Sequence, residues 1–264
     1  MIDALRRRAL GLVVIVLAVV AWQVAALARP NPYVPSPEAL LGRFHEDWLS
    51  GPANRLFLSD QFIGNVGPTV HRLAFGWAIG IVVGLLAGGL IASSKRLRYL
   101  VGPLTRLGMS TPAPALLPIA IALFGLGGGM KVFFIAFGTV WPVLINTVAG
   151  LRDVDEYVIN VGRSLRLSPV DEWLHVRIPL AMPRIMSGIR IGTNAAVLLI
   201  AVAELYASTS GIGFVIVRTQ RDFDVIGTWS AILMLCLIGV VANALLAAFD
   251  HRIMHWYHQR RRQS

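Results

Sequence analysis

Six separate runs of this chain are apolar for long enough to cross a lipid bilayer: 10–28, 70–92, 100–124, 131–150, 190–207 and 228–249. A helix needs roughly 20 apolar residues to span about 30 Å of hydrocarbon. Each run reaches or approaches that length, so the chain is predicted to be an all-α integral membrane protein with six transmembrane helices. The composition agrees. Of 264 residues, 56% are hydrophobic and 14% charged, where a soluble domain carries about 25% charged residues. Mean hydropathy is +0.66.

The charge that remains is lopsided, at +10 with a pI near 10.9. Such a balance can signal nucleic acid, but its placement points to membrane topology instead. Sixteen of the Lys and Arg residues fall at the amino terminus, in 93–99, in 151–190 and in the tail, against six in the alternate loops. The two left over, Arg72 and Arg106, lie within candidate spans. Basic loops stay in the cytoplasm, which puts both termini and the 151–189 loop inside and needs an even number of spans. The opening segment MIDALRRRALGLVVIVLAVVAWQVAAL starts basic and turns apolar like a signal peptide, but its apolar run from Ala9 to Leu27 is long enough to be a retained first span. Cys236 is the single cysteine and sits in an apolar run, so it is expected to pack rather than to form an intrachain disulfide.

Several stretches carry more than hydropathy. Gly76, Gly80, Gly84 and Gly88 recur at i+4, which stacks them on one helix face and lets a neighbouring helix approach closely. The third span holds Pro112, Pro114 and Pro118. Each lacks a backbone donor, so this span is expected to start bent. Irregular backbone at membrane depth is tolerated where protein buries it or a cavity solvates it, so Pro112 and Pro118 are candidates for a translocation path, with simple kinking the other reading. Glu204 closes the fifth span. An acid at that depth faces an interior or a cavity, so it either touches the path or pairs with a base; the structural pairing is the stronger expectation.

Other chemistry is poorly supported. GLGGGMK at 125–131 is not a phosphate loop, because Met130 precedes Lys131 and Val132 follows it. His251, His255 and His258 share a helical face in the tail, but beside Arg252 and Trp256 they read as a basic interfacial segment rather than a metal site. Serine nucleophile elbows and zinc-protease signatures are absent, so no enzyme is expected, and no metal or cofactor within this chain.

The loop at 151–189 is the most informative segment. Asp153 can cap a helix carrying Val154, Val158, Val161 and Leu165 on one face. Ser168, Pro169 and Asp171 then form a strong helix start, predicting a second short helix over about 169–176. It would present Trp173 and Leu174, with Val170 nearby, and a protein groove suits them better than anionic lipid because Asp171 and Glu172 lie alongside.

These residues resemble the signature loop of permease subunits of binding-protein-dependent ABC importers. That signature reads EAA, three residues, Gly, nine residues, I-x-L-P. Here the ending is Val176-Arg177-Ile178-Pro179, with Asn160-Val161-Gly162 at the EAA position and Arg166 at the glycine. Arg163-Ser164-Leu165, Gly188-Ile189-Arg190, Ala203-Glu204-Leu205 and Gly211-Ile212-Gly213 extend the likeness toward the nitrate/sulfonate/taurine-type branch, over roughly 70–256. The resemblance implies a type I importer permease core (MetI-like). Residues 1–69 would be an N-terminal span and periplasmic loop, 70–250 the permease core, and 251–264 a basic cytoplasmic tail. It implies a plasma (inner) membrane location in a prokaryote. It also implies as partners a second permease copy (usually a homodimer), two ATPase subunits that bind ATP and Mg, and a periplasmic or lipid-anchored substrate-binding protein. The ATPase-coupling residues would be Ser168, Pro169, Val170, Asp171, Glu172, Trp173 and Leu174, with Arg163 and Pro179. The cargo would be a small anion such as a sulfonate, taurine, nitrate or bicarbonate. The alternative, a subunit of an ion-gradient-driven carrier or channel, would call for inverted repeats with matched broken helices, and none is visible.

Overall fold

The computed structural model describes residues 2–206 and 208–253, without the side chains of 2–9, 12, 163 and 253. Eleven α-helices follow one another among these residues: α1 (Ile2–Ala28), α2 (Pro37–Leu49), α3 (Asp60–Ser93), α4 (Lys95–Ser110), α5 (Leu117–Phe124), α6 (Gly128–Arg152), α7 (Glu156–Ser164), α8 (Pro169–Glu172), α9 (Ile178–Tyr206), α10 (Ile212–Arg221) and α11 (Val225–Ile253). Four helical stretches are long and apolar enough to cross a membrane: 53–93, 128–152, 169–206 and 225–252. The bent pair α4 and α5 supplies a fifth, and Val13–Ala28 within α1 is a shorter apolar helix. The architecture is all-α and compatible with six spans.

The polar segments 29–65 and 208–227, which lie between the expected spans, contain structure of their own, in α2, the first turns of α3, and α10. Ser36 caps α2, its hydroxyl accepting the Ala39 N–H at 3.3 Å, and Pro37 fills the first helical position. Short polar capping segments leave no hydropathy signal, which is why a span count overlooks them.

The chain divides into two compact units, residues 1–68 with 209–235, and residues 69–208 with 236–264. In the first, Trp48 is fully buried and its indole N–H donates to Ser230 Oγ at 2.9 Å. Arg43 forks between Asp47 (2.8 Å) and Asp224 (2.5 Å). Trp22 and Trp229 pack with ring centroids 6.0 Å apart, and the Trp229 indole donates to the Tyr33 carbonyl at 3.1 Å.

In the second unit α6 is the central helix. A Cβ built on Gly76, Gly80, Gly84 or Gly88 would stand 2.6–2.8 Å from the Cβ of Ile135, Thr139, Val143 or Thr147 respectively. The glycine face of α3 is therefore filled by α6 of the same subunit. From α9, Gly192 meets Thr139 and Gly188 meets Asn146 in the same way, at 3.1 and 2.6 Å. Thr139 thus lies between glycines of two helices, and its hydroxyl is satisfied within α6 by the Ile135 carbonyl at 2.8 Å. Close backbone approach gives the dispersion contact that replaces hydrophobic drive in a bilayer. Val143 of this seam also joins Leu151, Ala181, Ile185, Met186, Ile189 and Leu246 in one apolar cluster.

The third span is broken rather than continuous over 100–124. α4 and the helical stretch 113–124 meet at 95°. Thr111 is extended (ψ 116°) because a residue before proline avoids the helical region, and Pro112 and Pro114 then permit only a short 3-10 turn, Ala113–Leu116. Pro118 sits in the first turn of α5, where its missing donor costs nothing.

Candidate functional site

The 153–183 loop folds as two capped helical pieces, with differences from expectation that have local causes. Asp155, not Asp153, caps α7. Its carboxylate accepts the Tyr157 N–H at 2.9 Å, and its carbonyl accepts from Val158 and Ile159. Asp153 instead pairs with Arg184 of α9. Ile159 turns inward at 7% exposure, leaving Val158, Val161 and Leu165 on the outer side with Tyr157.

α7 ends at Ser164, and two residues on Arg166 adopts φ +55°. The Leu167 N–H then reaches back to the Gly162 carbonyl at 3.3 Å. This is the six-to-one bond of a Schellman ending, with Arg166 at the left-handed position where glycine is favoured. The register that set Arg166 against the signature glycine therefore lands on backbone of the kind glycine serves. Gly162 packs closely on the same ending, since a Cβ there would stand 3.3 Å from Leu167 Cδ1.

The second piece begins as expected. The Ser168 hydroxyl accepts the Asp171 N–H at 3.2 Å and donates to the Asp171 carboxylate at 2.6 Å, with Pro169 in the first turn. It does not end at 176. Four α residues pass into a π-turn, Trp173–Arg177, and straight on into α9. Pro179 has no N–H for the His175 carbonyl and its ring crowds that oxygen, so the turn before it widens. Trp173 is not presented outward. It packs on the cluster around Ile185, and the Arg177 guanidinium lies 5.4 Å from its ring centroid. Arg177 is held there by Glu172, at 2.6 and 2.7 Å. Val170 and Leu174 are exposed, at 65% and 54%, and Pro179 is half-buried. Arg163 lies in α7, with its side chain outside the described set, as are His255 and His258 altogether.

Glu204 is 1% exposed, and Thr69 and Arg72 of α3 hold it. The Thr69 hydroxyl lies 2.8 and 2.9 Å from its two oxygens and Arg72 Nη1 donates to Oε1 at 2.8 Å. This geometry fits the pairing expectation for Glu204. Lys131, from the first turn of α6, is 2% exposed and lies in the field of both Arg72 and Glu204. In the sequence Lys131 is weighed only as part of the rejected phosphate loop at 125–131, with no sign that it is buried.

Beside the broken span is a cavity of about 340 Å³, lined by Thr111, Pro114, Phe137, Trp141, Leu198 and Val202 among others. Phe133, Phe137 and Trp141 form an aromatic lane along α6, with successive centroids 6.3 and 5.6 Å apart. Pro112, Pro118 and Glu204 are not among its lining residues, although Thr111 and Ala113 on either side of Pro112 are.

A helical membrane chain with a broken span over a cavity, and an ordered polar loop whose inner side is pinned and whose outer side is apolar, has the organisation of a transport subunit that works with partners. The chain belongs to the family described as "Binding-protein-dependent transport system inner membrane component", whose model matches residues 80–255. It is similar to the putative aliphatic sulfonates transport permease protein SsuC of Bacillus subtilis, at 29% identity over 93% of this chain and 87% of that one. It is likewise similar to the nitrate import permease protein NrtB of Leptolyngbya laminosa, at 29% identity over 79% and 75%. Among solved structures, an inward-facing MetNI methionine ABC transporter chain shares the fold with TM-score 0.62 at 15% identity, covering 74% of this chain and 99% of that one. The protein is thus an ABC importer permease of the nitrate/sulfonate branch, and not an enzyme.

Proposed function

We propose that two copies of this chain form the pathway of an importer for a small anion, with both termini cytoplasmic. Two ATPase subunits would seat on the 153–177 loop, and an external substrate-binding protein would deliver the cargo. The sulfonate and nitrate names of the relatives support an anionic nutrient. One observation carries the coupling part: Tyr157, Leu165, Val170 and Leu174 are each more than half exposed on two capped helical pieces. Ordered apolar side chains in a cytoplasmic loop fit a protein groove. Ser168, Pro169 and Asp171 set the start of the second piece, Glu172, Arg177 and Trp173 brace it, and Pro179 fixes its passage into α9. ATP-driven closure of the ATPase pair would then move α9 directly, because no break separates it from the loop.

Leu174→Asp is expected to leave membrane insertion intact and to weaken co-purification with the ATPase by at least about tenfold, as a buried apolar anchor would. Trp173→Ala is expected to act differently, lowering thermal stability by unpacking the loop. Unchanged ATPase association in Leu174→Asp and in Val170→Asp would refute the coupling role.

A further inference from the structure

The glycine run at 125–131 is no phosphate loop, but it opens a long helix without closing its end. α6 starts at Gly128, with Gly127 before it and Gly129 after it, all three exposed. No side chain caps this end, and among the described residues no backbone carbonyl accepts from Gly128, Gly129 or Met130. A Cβ on Gly127 or Gly129 would meet nothing within 4 Å, so a ligand can come close to these N–H groups. The amino end of such a helix also carries about half a positive charge, and helices bind phosphate and sulfate groups there.

Two cations of the same unit converge on this end. Arg72 of α3 lies alongside, its Nε 3.9 Å from the place a Gly128 Cβ would take. Its side chain is 14% exposed and pairs with Glu204 at 2.8 Å. Lys131 sits in the first turn of α6 and is 2% exposed. A long side chain on a helix leans back over the turn before it, so the Lys131 stem runs toward Gly127 and Gly128, and its ammonium feels both Arg72 and Glu204. Among the described residues Lys131 makes no hydrogen bond and no ion pair.

The charges do not balance. Arg72 and Lys131 meet one carboxylate, Glu204, whose oxygens are already engaged by the Thr69 hydroxyl and the Arg72 guanidinium. A buried cation is costly unless a counter-charge reaches it. The group that completes this corner is therefore negative, and it must offer several acceptor oxygens to N–H donors from two helices.

We infer that the amino end of α6, together with Arg72 and Lys131, is a binding site for one oxyanion. Nitrate, the sulfonate group of an organic anion and the phosphate of a lipid headgroup share the required chemistry, with negative charge spread over oxygens that accept and do not donate. Glu204 holds Arg72 in place and keeps the site to a single anion by its own charge. With cargo as the occupant, the inference rests on the reading of the chain as an anion importer.

The test reads the thermal midpoint of the transporter, this chain with its ATPase, in maltoside detergent stripped of phospholipid. Saturating nitrate or ethanesulfonate should raise the midpoint by about 3 °C or more relative to chloride at equal ionic strength. Lys131→Met removes the buried charge and keeps an apolar stem, so the anion-free protein should be at least as stable while the shift disappears. Gly127 has extended backbone (φ −77°, ψ −172°) and open space around it, so Gly127→Asp should cap α6 with its own carboxylate. That variant should be more stable than wild type and also lose the shift. A shift that persists in both variants, or one that chloride matches, would overturn the inference. So would a wild-type midpoint that responds neither to free anions nor to added phosphatidylglycerol. A shift from phosphatidylglycerol alone, lost in both variants, would support the site and give it to a lipid headgroup instead of cargo. ATP-driven uptake into proteoliposomes is scored separately: an anion shift without uptake of any anion would refute the importer reading and leave the site standing.

Discussion

Arg166 shows how much one residue can carry. Its side chain says nothing of a turn, and propensity alone would extend a helix through it. What identifies the turn is backbone geometry, φ +55° with the six-to-one bond from Leu167 to Gly162. A left-handed conformation costs an L-residue about 1–2 kcal/mol. Arg166→Gly should therefore raise the stability of the transporter by up to about 1 kcal/mol after the added chain entropy is deducted, read as a higher thermal midpoint in detergent. A lower midpoint would mean that the Arg166 side chain contributes more than its backbone strain removes. The spacing to Pro179 made this position visible in the sequence. Glu204 was visible too, because an acid stands out in an apolar run. Its partners were less so: Arg72 was already anomalous within a span, but Thr69 and Lys131 are unremarkable until α3, α6 and α9 meet.

At the scale of elements, the glycine ladder was legible because four glycines at i+4 leave a helix face bare. Its partner was not, because the facing residues Ile135, Thr139, Val143 and Thr147 look like any apolar run with threonines. The contact makes a paired prediction. Gly80→Ala would place a Cβ 2.9 Å from the Ala136 carbonyl as well as against Thr139. Backbone cannot yield cheaply, so a loss of about 1–3 kcal/mol is expected. Gly89 of the same helix has nothing within 4 Å, so Gly89→Ala should be neutral or gain up to about 1 kcal/mol from helix propensity. Thermal denaturation of both variants in one detergent checks this. Equal effects would show that helix propensity, not the α3–α6 seam, governs these sites. The loop was legible in part for a similar reason. Ser168-Pro169 announces a helix start wherever it occurs, whereas the π-turn at 173–177 depends on how Pro179 crowds the previous turn. The inward turn of Trp173 depends on a cluster drawn from residues between 143 and 246.

At the scale of the molecule, hydropathy and the asymmetry of Lys and Arg gave the plan of spans and the expected orientation. Both are sums over many residues, and such sums survive local error. The structured segments between spans did not emerge, because α2, the turn at 51–59 and α10 are built from hydrogen bonds and caps that hydropathy averages away. The family assignment fixes the class of machine, the permease subunit of an ABC importer that works with ATPase and substrate-binding partners. The most direct measurement of the central claim is uptake of labelled alkanesulfonates and nitrate into proteoliposomes holding this chain, its ATPase and the binding protein. Accumulation of at least one anion should require ATP, the binding protein and this chain together. Uptake that continues without ATP and follows an imposed ion gradient would contradict the account.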